Sequence, residues 1–124
     1  MGKIIISQAR GHGSFTYRVK RKAFRIRSRY PKILSGEGTV IKMVNSPAHT
    51  APIAKIKYNG GVFFMPAFKG MSEGQKINFN SGSATPGSIL MLRDISIKTP
   101  IYNIESRPGD GGIFIRSGGN SGMV

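Results

Sequence analysis

The chain lacks cysteine, and it has only two histidines and five acidic residues. Without cysteine there can be no disulfide and no Cys-ligated zinc site. The histidines, His12 and His49, lie far apart in sequence. The acids Glu37, Glu73, Asp94, Glu105 and Asp110 are scattered without paired spacing. No H-E-x-x-H motif and no nucleophile elbow occurs. The expectation is therefore a protein without catalytic residues, metal or cofactor. Long apolar runs are also missing. No window approaches the roughly 18 consecutive apolar residues that a membrane span needs, so no membrane partner is expected. Ile4-Ile5-Ile6 is too short for the apolar region of a secretory signal. A mitochondrial presequence would be Arg-rich and acid-free, as residues 1–34 are, but Gly11 and Gly13 interrupt any early helix.

What is present is positive charge. The 124 residues carry 19 Lys and Arg, for a net charge of +14. Ten of these cations fall within residues 1–34, where there is no acid. In "RVKRKAFRIRSRYPK" (18–32) eight of fifteen residues are basic, with Phe24 and Tyr30 among them. So basic a chain repels itself and is expected to work against a polyanion. Nucleic acid fits best. Lys and Arg release the counterions condensed on phosphates, Arg offers a planar fork to phosphate, and Tyr17, Phe24 and Tyr30 can stack on bases. Arg10, Arg18, Arg21, Arg25, Arg27 and Arg29 are the main candidate contacts. Lys20, Lys22 and Lys32 add charge without bidentate geometry.

Three zones are expected. Residues 1–35 form an extended basic arm with too little apolar surface to order itself. Residues 36–92 read as a small all-β unit, and 93–124 as the start of a second. Five strand runs are predicted. "GTVIKMVN" (38–45) is bounded by Asn45-Ser46-Pro47, and "IAKIKY" (53–58) alternates apolar and basic. Asn59-Gly60-Gly61 signals a hairpin with positive φ at its central residues. "VFFMP" (62–66) returns, "QKINFN" (75–80) alternates again, and "SILMLRDI" (88–95) is the fifth run. Five short strands with Gly- and Pro-rich connections suggest a five-stranded oligonucleotide-binding (OB) barrel. The barrel presents Lys42, Lys55, Lys57 and Arg93 as secondary contacts.

Two loops stand out. "NSPAHTAP" (45–52) is stiff and polar, with His49 as a candidate contact. "SRPGDGGIFIRSGGN" (106–120) reads as consecutive turns with free backbone N–H groups, whose glycines would let a phosphate approach. It is not a P-loop, since no Gly-Lys-Ser/Thr follows. A plain glycine-rich β turn reads equally well from composition.

"MGKIIISQARGHGSFTYR", "SPAHTAP", "PGSILMLRDI" and "IYNIESRPGDGGIFIRSGG" resemble the universal large-subunit ribosomal protein number two, in its archaeal or eukaryotic-cytosolic form. The resemblance covers essentially the whole chain in order. It implies binding of large-subunit rRNA near the peptidyl-transferase region, neighbouring ribosomal proteins as partners, and a place in the cytoplasmic ribosome. It also implies an OB-type barrel followed by an SH3-like barrel, with 1–35 as the N-terminal extension. Arg10, His12, Tyr17, Arg18, Gly109, Gly111, Gly112 and Arg116 fall in stretches that would approach rRNA. The family usually carries Arg where His49 stands. It is also roughly twice this length, so the chain is expected to stop at Val124 partway through the SH3-like barrel: a second chain completes it, or rRNA shields its open edge, or this is a fragment or reduced version. The alternative is a free-standing OB-fold protein that binds single-stranded nucleic acid.

Overall fold

A computed structural model describes residues 2–3, 5–32, 34–80 and 84–124. Four of the predicted runs become strands: β1 Gly36–Val44, β2 Ile53–Tyr58, β3 Gly61–Pro66 and β4 Lys76–Phe79. They form one antiparallel sheet in the order β3-β2-β1-β4. A register shift between Val40 and Lys42 inserts Ile41 as an extra residue in β1. Such a bulge bends its strand. Here it lets β1 pair with β4 through residues 36–39 and with β2 through residues 39–44. At the bend the free edge of β1 is capped instead, Val40 N–H donating to Gln75 and Gly74 N–H to Val40, at 2.9 and 2.8 Å.

The strand period of two separates the faces of the sheet. Val40, Ala54, Ile56, Phe63, Met65, Ile77 and Phe79 point inward and form the core. Phe63 stands at its centre, with ring centroids of Tyr58, Phe79 and Tyr30 at 5.5, 6.0 and 6.4 Å. Burial of each large side chain contributes roughly 1.5–3 kcal/mol. Gly38 belongs to the inward row. A Cβ there would meet Phe79 Cζ at 2.5 Å and Ile56 Cγ2 at 2.9 Å, so the glycine is what admits the Phe79 ring over β1.

The β2–β3 hairpin forms with Tyr58 opposite Gly61. Its mechanism differs from the expected one. Positive φ is found at Gly61 (+130°) rather than at Asn59 or Gly60. Gly60 is required for another reason: a Cβ would lie 2.5 Å from the Tyr58 ring, which folds over the turn.

The fifth run does not become a strand. Within 88–95 only Ile89 pairs, in a single parallel bridge to Phe79, and Leu92–Asp94 turn into a short 3₁₀ segment. Ile89 packs on the core, but Met91 and Leu92 are exposed. An apolar run without alternation cannot tell a strand from a buried coil. No closed barrel forms among the described residues.

Beyond it lies a two-stranded unit, β5 Pro100–Ile101 with β6 Gly122–Met123, and an isolated bridge between Ile104 and Phe114. The N-terminal segment holds one helical turn, α1 Ile6–Ala9. Its last part docks on the fold. Ser28 is buried, Arg29 bridges to Phe64 on the edge of β3, and Tyr30 and Leu34 pack against the core.

Candidate RNA interface

Arg10, His12, Tyr17, Arg18, Lys20, Arg21, Lys22, Arg25 and Arg27 are all exposed. Tight turns run through part of this segment, closed by Tyr17 and Arg18 N–H to Ser14 and by Ala23 N–H to Lys20, and Arg25 and Arg27 follow them. Among the described residues no cation of this segment is in an ion pair; the two pairs present are Lys76–Glu37 and Arg93–Asp94, each at 3.7 Å. The Arg18 guanidinium lies 5.5 Å from the centroid of the Phe15 ring, close enough for a cation–π contact. Phe15 is itself 93% exposed. An exposed aromatic among unpaired cations suits phosphate and base contact better than burial.

Arg29 and Lys32 are exposed too, but they border the glycine-rich turn. A Cβ on Gly111 would lie 3.0 Å from Arg29 Cβ, and one on Gly109 4.0 Å from Lys32 Cγ. Lys32 also lines shallow recesses beside Tyr58-Asn59-Gly60 and beside Pro108-Gly109-Asp110.

The turn itself corrects an expectation. Its backbone N–H groups are not free. Ser106 and Arg107 N–H donate to Asp110 Oδ2 at 2.9 and 2.8 Å, and Gly112 N–H donates to Oδ1 at 3.1 Å. Gly109 and Gly111 N–H donate to the Glu105 carboxylate at 3.2 and 2.9 Å. The amides expected to cradle a phosphate are thus held by the protein's own carboxylates. Arg107 N–H, then Gly112, Ser106 and the charge of Arg29, hold the Asp110 carboxyl below its usual range. The glycines have a packing role as well. A Cβ on Gly112 would fall 2.5 Å from Asn103 Oδ1.

Arg116 is not a free cation. Its Nη2 donates to the Ser28 carbonyl at 2.7 Å, tying the second β unit to the end of the basic segment. Tyr30 N–H donates to the Gly111 carbonyl at 3.0 Å alongside. Replacing Arg116 by Met should lower stability by about 1–3 kcal/mol, since a partly buried carbonyl loses a charged donor. Urea unfolding measures this, and unchanged stability would return Arg116 to a purely RNA-facing role.

His49 is half-buried, with Nδ1 2.8 Å from Ser46 Oγ. The next residue, Thr50, accepts from Gly118 N–H at 2.8 Å. Arg93 is exposed beside Asp94. Sequence reasoning missed the buried polar cluster under the turn, formed by Ser28, Tyr102 and Asn103 with Tyr30 beside it. Ser28 Oγ, Tyr102 Oη and both Asn103 amide atoms are buried without a partner in hydrogen-bond geometry. Its members come from distant parts of the chain, so no local motif could reveal it. Among the described residues there is no cluster of three or more His, Cys, Asp or Glu able to hold a metal. Nor is any helix there long and apolar enough to cross a membrane.

A large-subunit ribosomal protein uL2 of Methanococcoides burtonii is 40% identical over 124 residues, 96% of this chain and 52% of the relative. Those of Pyrobaculum aerophilum and Methanococcus vannielii are each 39% identical, over 100% and 96% of this chain. Over the stretch it spans, the chain belongs to the uL2 family. It spans about half the length of the curated relatives it matches. No protein-family model matches it. The uL2 likeness extends along nearly the whole chain, basic segment, sheet and glycine-rich turn together.

Proposed function

We propose that this uL2 relative is a structural, non-catalytic part of the large ribosomal subunit in the cytoplasm, and that it binds and scaffolds large-subunit rRNA near the peptidyl-transferase region. The observation that carries the reading is the exposed basic segment, where among the described residues no ion pair offsets the charge. Buried in folded rRNA, those side chains would neutralise phosphates that no counterion reaches, reading shape and backbone rather than base sequence. On this reading residues 1–35 are the rRNA-binding extension and 36–92 an OB-type unit. Residues 93–124 belong to an SH3-like unit, with neighbouring ribosomal proteins as partners. The bent β1, paired with both β2 and β4, supports the OB-type assignment. The exposed Ile97, Ile113, Phe114 and Met123 beside β5 and β6 support a partner there.

The test is a sucrose gradient of native lysate at high salt, probed for this chain. Co-migration with the large subunit is expected. A chain that stays at the top overturns the ribosomal reading and favours a free single-stranded nucleic-acid-binding protein. In parallel, Arg21, Arg25 and Arg27 are changed together to Ala, sparing Arg29 because it packs on Gly111. The slope of log affinity against log salt for deproteinised large-subunit rRNA should flatten by about 2, roughly 0.7 to 0.9 per lost phosphate contact.

A further inference from the structure

The tip of the β2–β3 hairpin carries a chemically reactive pair. Asn59-Gly60 is the one Asn-Gly sequence in the chain. Asparagine is among the thermolabile residues of proteins, and its breakdown is local: the backbone nitrogen of the next residue attacks the side-chain carbonyl carbon. The reaction needs a side-chain amide open to water and a following N–H free of hydrogen bonds. It is fastest where the following residue has no Cβ to obstruct the approach. Asn59 and Gly60 are both exposed. Among the described residues neither the Asn59 side chain nor the Gly60 N–H has a hydrogen-bond partner; the flanking pair, Tyr58 with Gly61, holds the turn instead. The fold also requires the glycine, since a Cβ at Gly60 would lie 2.5 Å from the Tyr58 ring.

Other positions with the same chemistry are protected. Asp110-Gly111 is the one Asp-Gly sequence and would close the same ring. Its attacking nitrogen is engaged, because Gly111 N–H donates to Glu105 Oε1 at 2.9 Å. Its carboxylate accepts from three backbone amides, and an ionised carboxylate is a poor electrophile. Asn103 is 2% exposed. Asn80 Nδ2 donates to the Leu34 carbonyl at 3.0 Å, and Asn78 is held in β4 opposite Glu37. Asn45 and Asn120 each precede a serine, whose side chain obstructs the attack.

We propose that Asn59 is a modification site, which deamidates to aspartyl and isoaspartyl forms in the folded protein. The Gly60 nitrogen gives up its proton and bonds to Asn59 Cγ. The Cγ–Nδ2 bond breaks, and ammonia leaves with that proton. The cyclic imide then takes up one water. Opening at Cγ yields an isoaspartyl or an aspartyl residue according to which carbonyl carbon the water attacks. Nothing is oxidised or reduced, and water is the sole co-reactant. The isoaspartyl form adds a backbone carbon to a turn whose length sets the register of β2 on β3. Tyr58 and Phe63, whose ring centroids lie 5.5 Å apart, stand on either side of that turn. The new carboxylate also joins Lys32 on the wall of the shallow recess that both residues line. Old copies of the chain thus differ from new ones in charge and in hairpin geometry, whether or not the chain binds RNA.

The experiment ages the full chain in mildly alkaline buffer, once folded and once in urea. Peptide mass spectrometry follows each asparagine, and an isoaspartyl methyltransferase with labelled S-adenosylmethionine counts the isoaspartate. In the folded chain Asn59 should lose its amide first among the six asparagines, with isoaspartate at that position, while Asp110 stays aspartyl. In urea Asp110 should isomerise as well. Asn59→Ser, which keeps a small polar residue in the turn, should abolish the folded chain's methyl transfer. Amide loss led by another asparagine overturns the proposal. So does an Asn59 that keeps its amide in the fold and loses it only in urea, or methyl transfer that Asn59→Ser leaves unchanged. Unfolding midpoints read the consequence. The separated isoaspartyl form should unfold at lower urea than fresh protein, and Asn59→Asp, which has the charge without the extra backbone carbon, should not. Equal midpoints for all three would overturn the effect on the hairpin.

Discussion

Gly112→Ala should lower the stability of the fold by about 2–5 kcal/mol and leave the basic segment's contribution to RNA binding in place. Two costs combine. Gly112 holds φ at +89°, where an L side chain costs roughly 1–2 kcal/mol. The added Cβ would also fall 2.5 Å from Asn103 Oδ1 and 2.9 Å from Asn103 Cγ. Asn103 is 2% exposed and cannot swing out to water, so overpacking adds about 1–3 kcal/mol. The two costs separate in a double variant. Asn103→Ala removes both clashing atoms, so Gly112→Ala placed on that background should cost only the backbone part. Denaturant midpoints of the four proteins give the answer. If Gly112 serves instead to admit a phosphate backbone, Gly112→Ala will keep its stability and lose affinity for rRNA.

This prediction marks the boundary of what the sequence made legible. Strands β2 and β4 were readable because their apolar residues alternate, as Ala54 and Ile56 do against Lys55 and Lys57, and β1 and β3 because turn residues bound their β-branched and aromatic runs. The hairpin was readable from Asn59-Gly60-Gly61, although not which glycine bears the unusual backbone. The run at 88–95 misled because its apolar residues lack alternation, and only Ile89 found a strand to pair with. In the glycine-rich turn the sequence showed flexibility but not occupancy. That Asp110 and Glu105 would fold back on the turn's own amides depends on side-chain direction, which spacing alone leaves open. Arg116 illustrates the same limit. The family resemblance pointed it to RNA, and the fold directs it to the Ser28 carbonyl far upstream in the chain.

The cluster that the sequence concealed should also make the fold sensitive to alkali. Burial pushes the Tyr30 hydroxyl from 10.0 up to about 12, with the Asn103 side chain and the charge of Arg116 acting the other way and Glu105 adding to the rise. Burial likewise raises Tyr102, and the neighbouring Tyr30 adds to it. Both phenols are acids whose neutral form the fold favours. Below pH 10 the folded and unfolded chains hold these protons alike, and stability is whole. Between about 10 and 12 the unfolded chain sheds them first, so stability falls as pH rises. The limiting slope is about 1.4 kcal/mol per pH unit for each tyrosine. Alkali also changes the self-repulsion of so basic a chain, so the comparison must be internal. From pH 9 to 11 wild-type protein should lose about 1–1.5 kcal/mol more than Tyr30→Phe, measured by urea unfolding at each pH. Parallel losses in the two proteins would mean that Tyr30 is already open to water in the fold. The polar cluster would then not be the sealed joint between the basic segment and the second β unit that its burial describes.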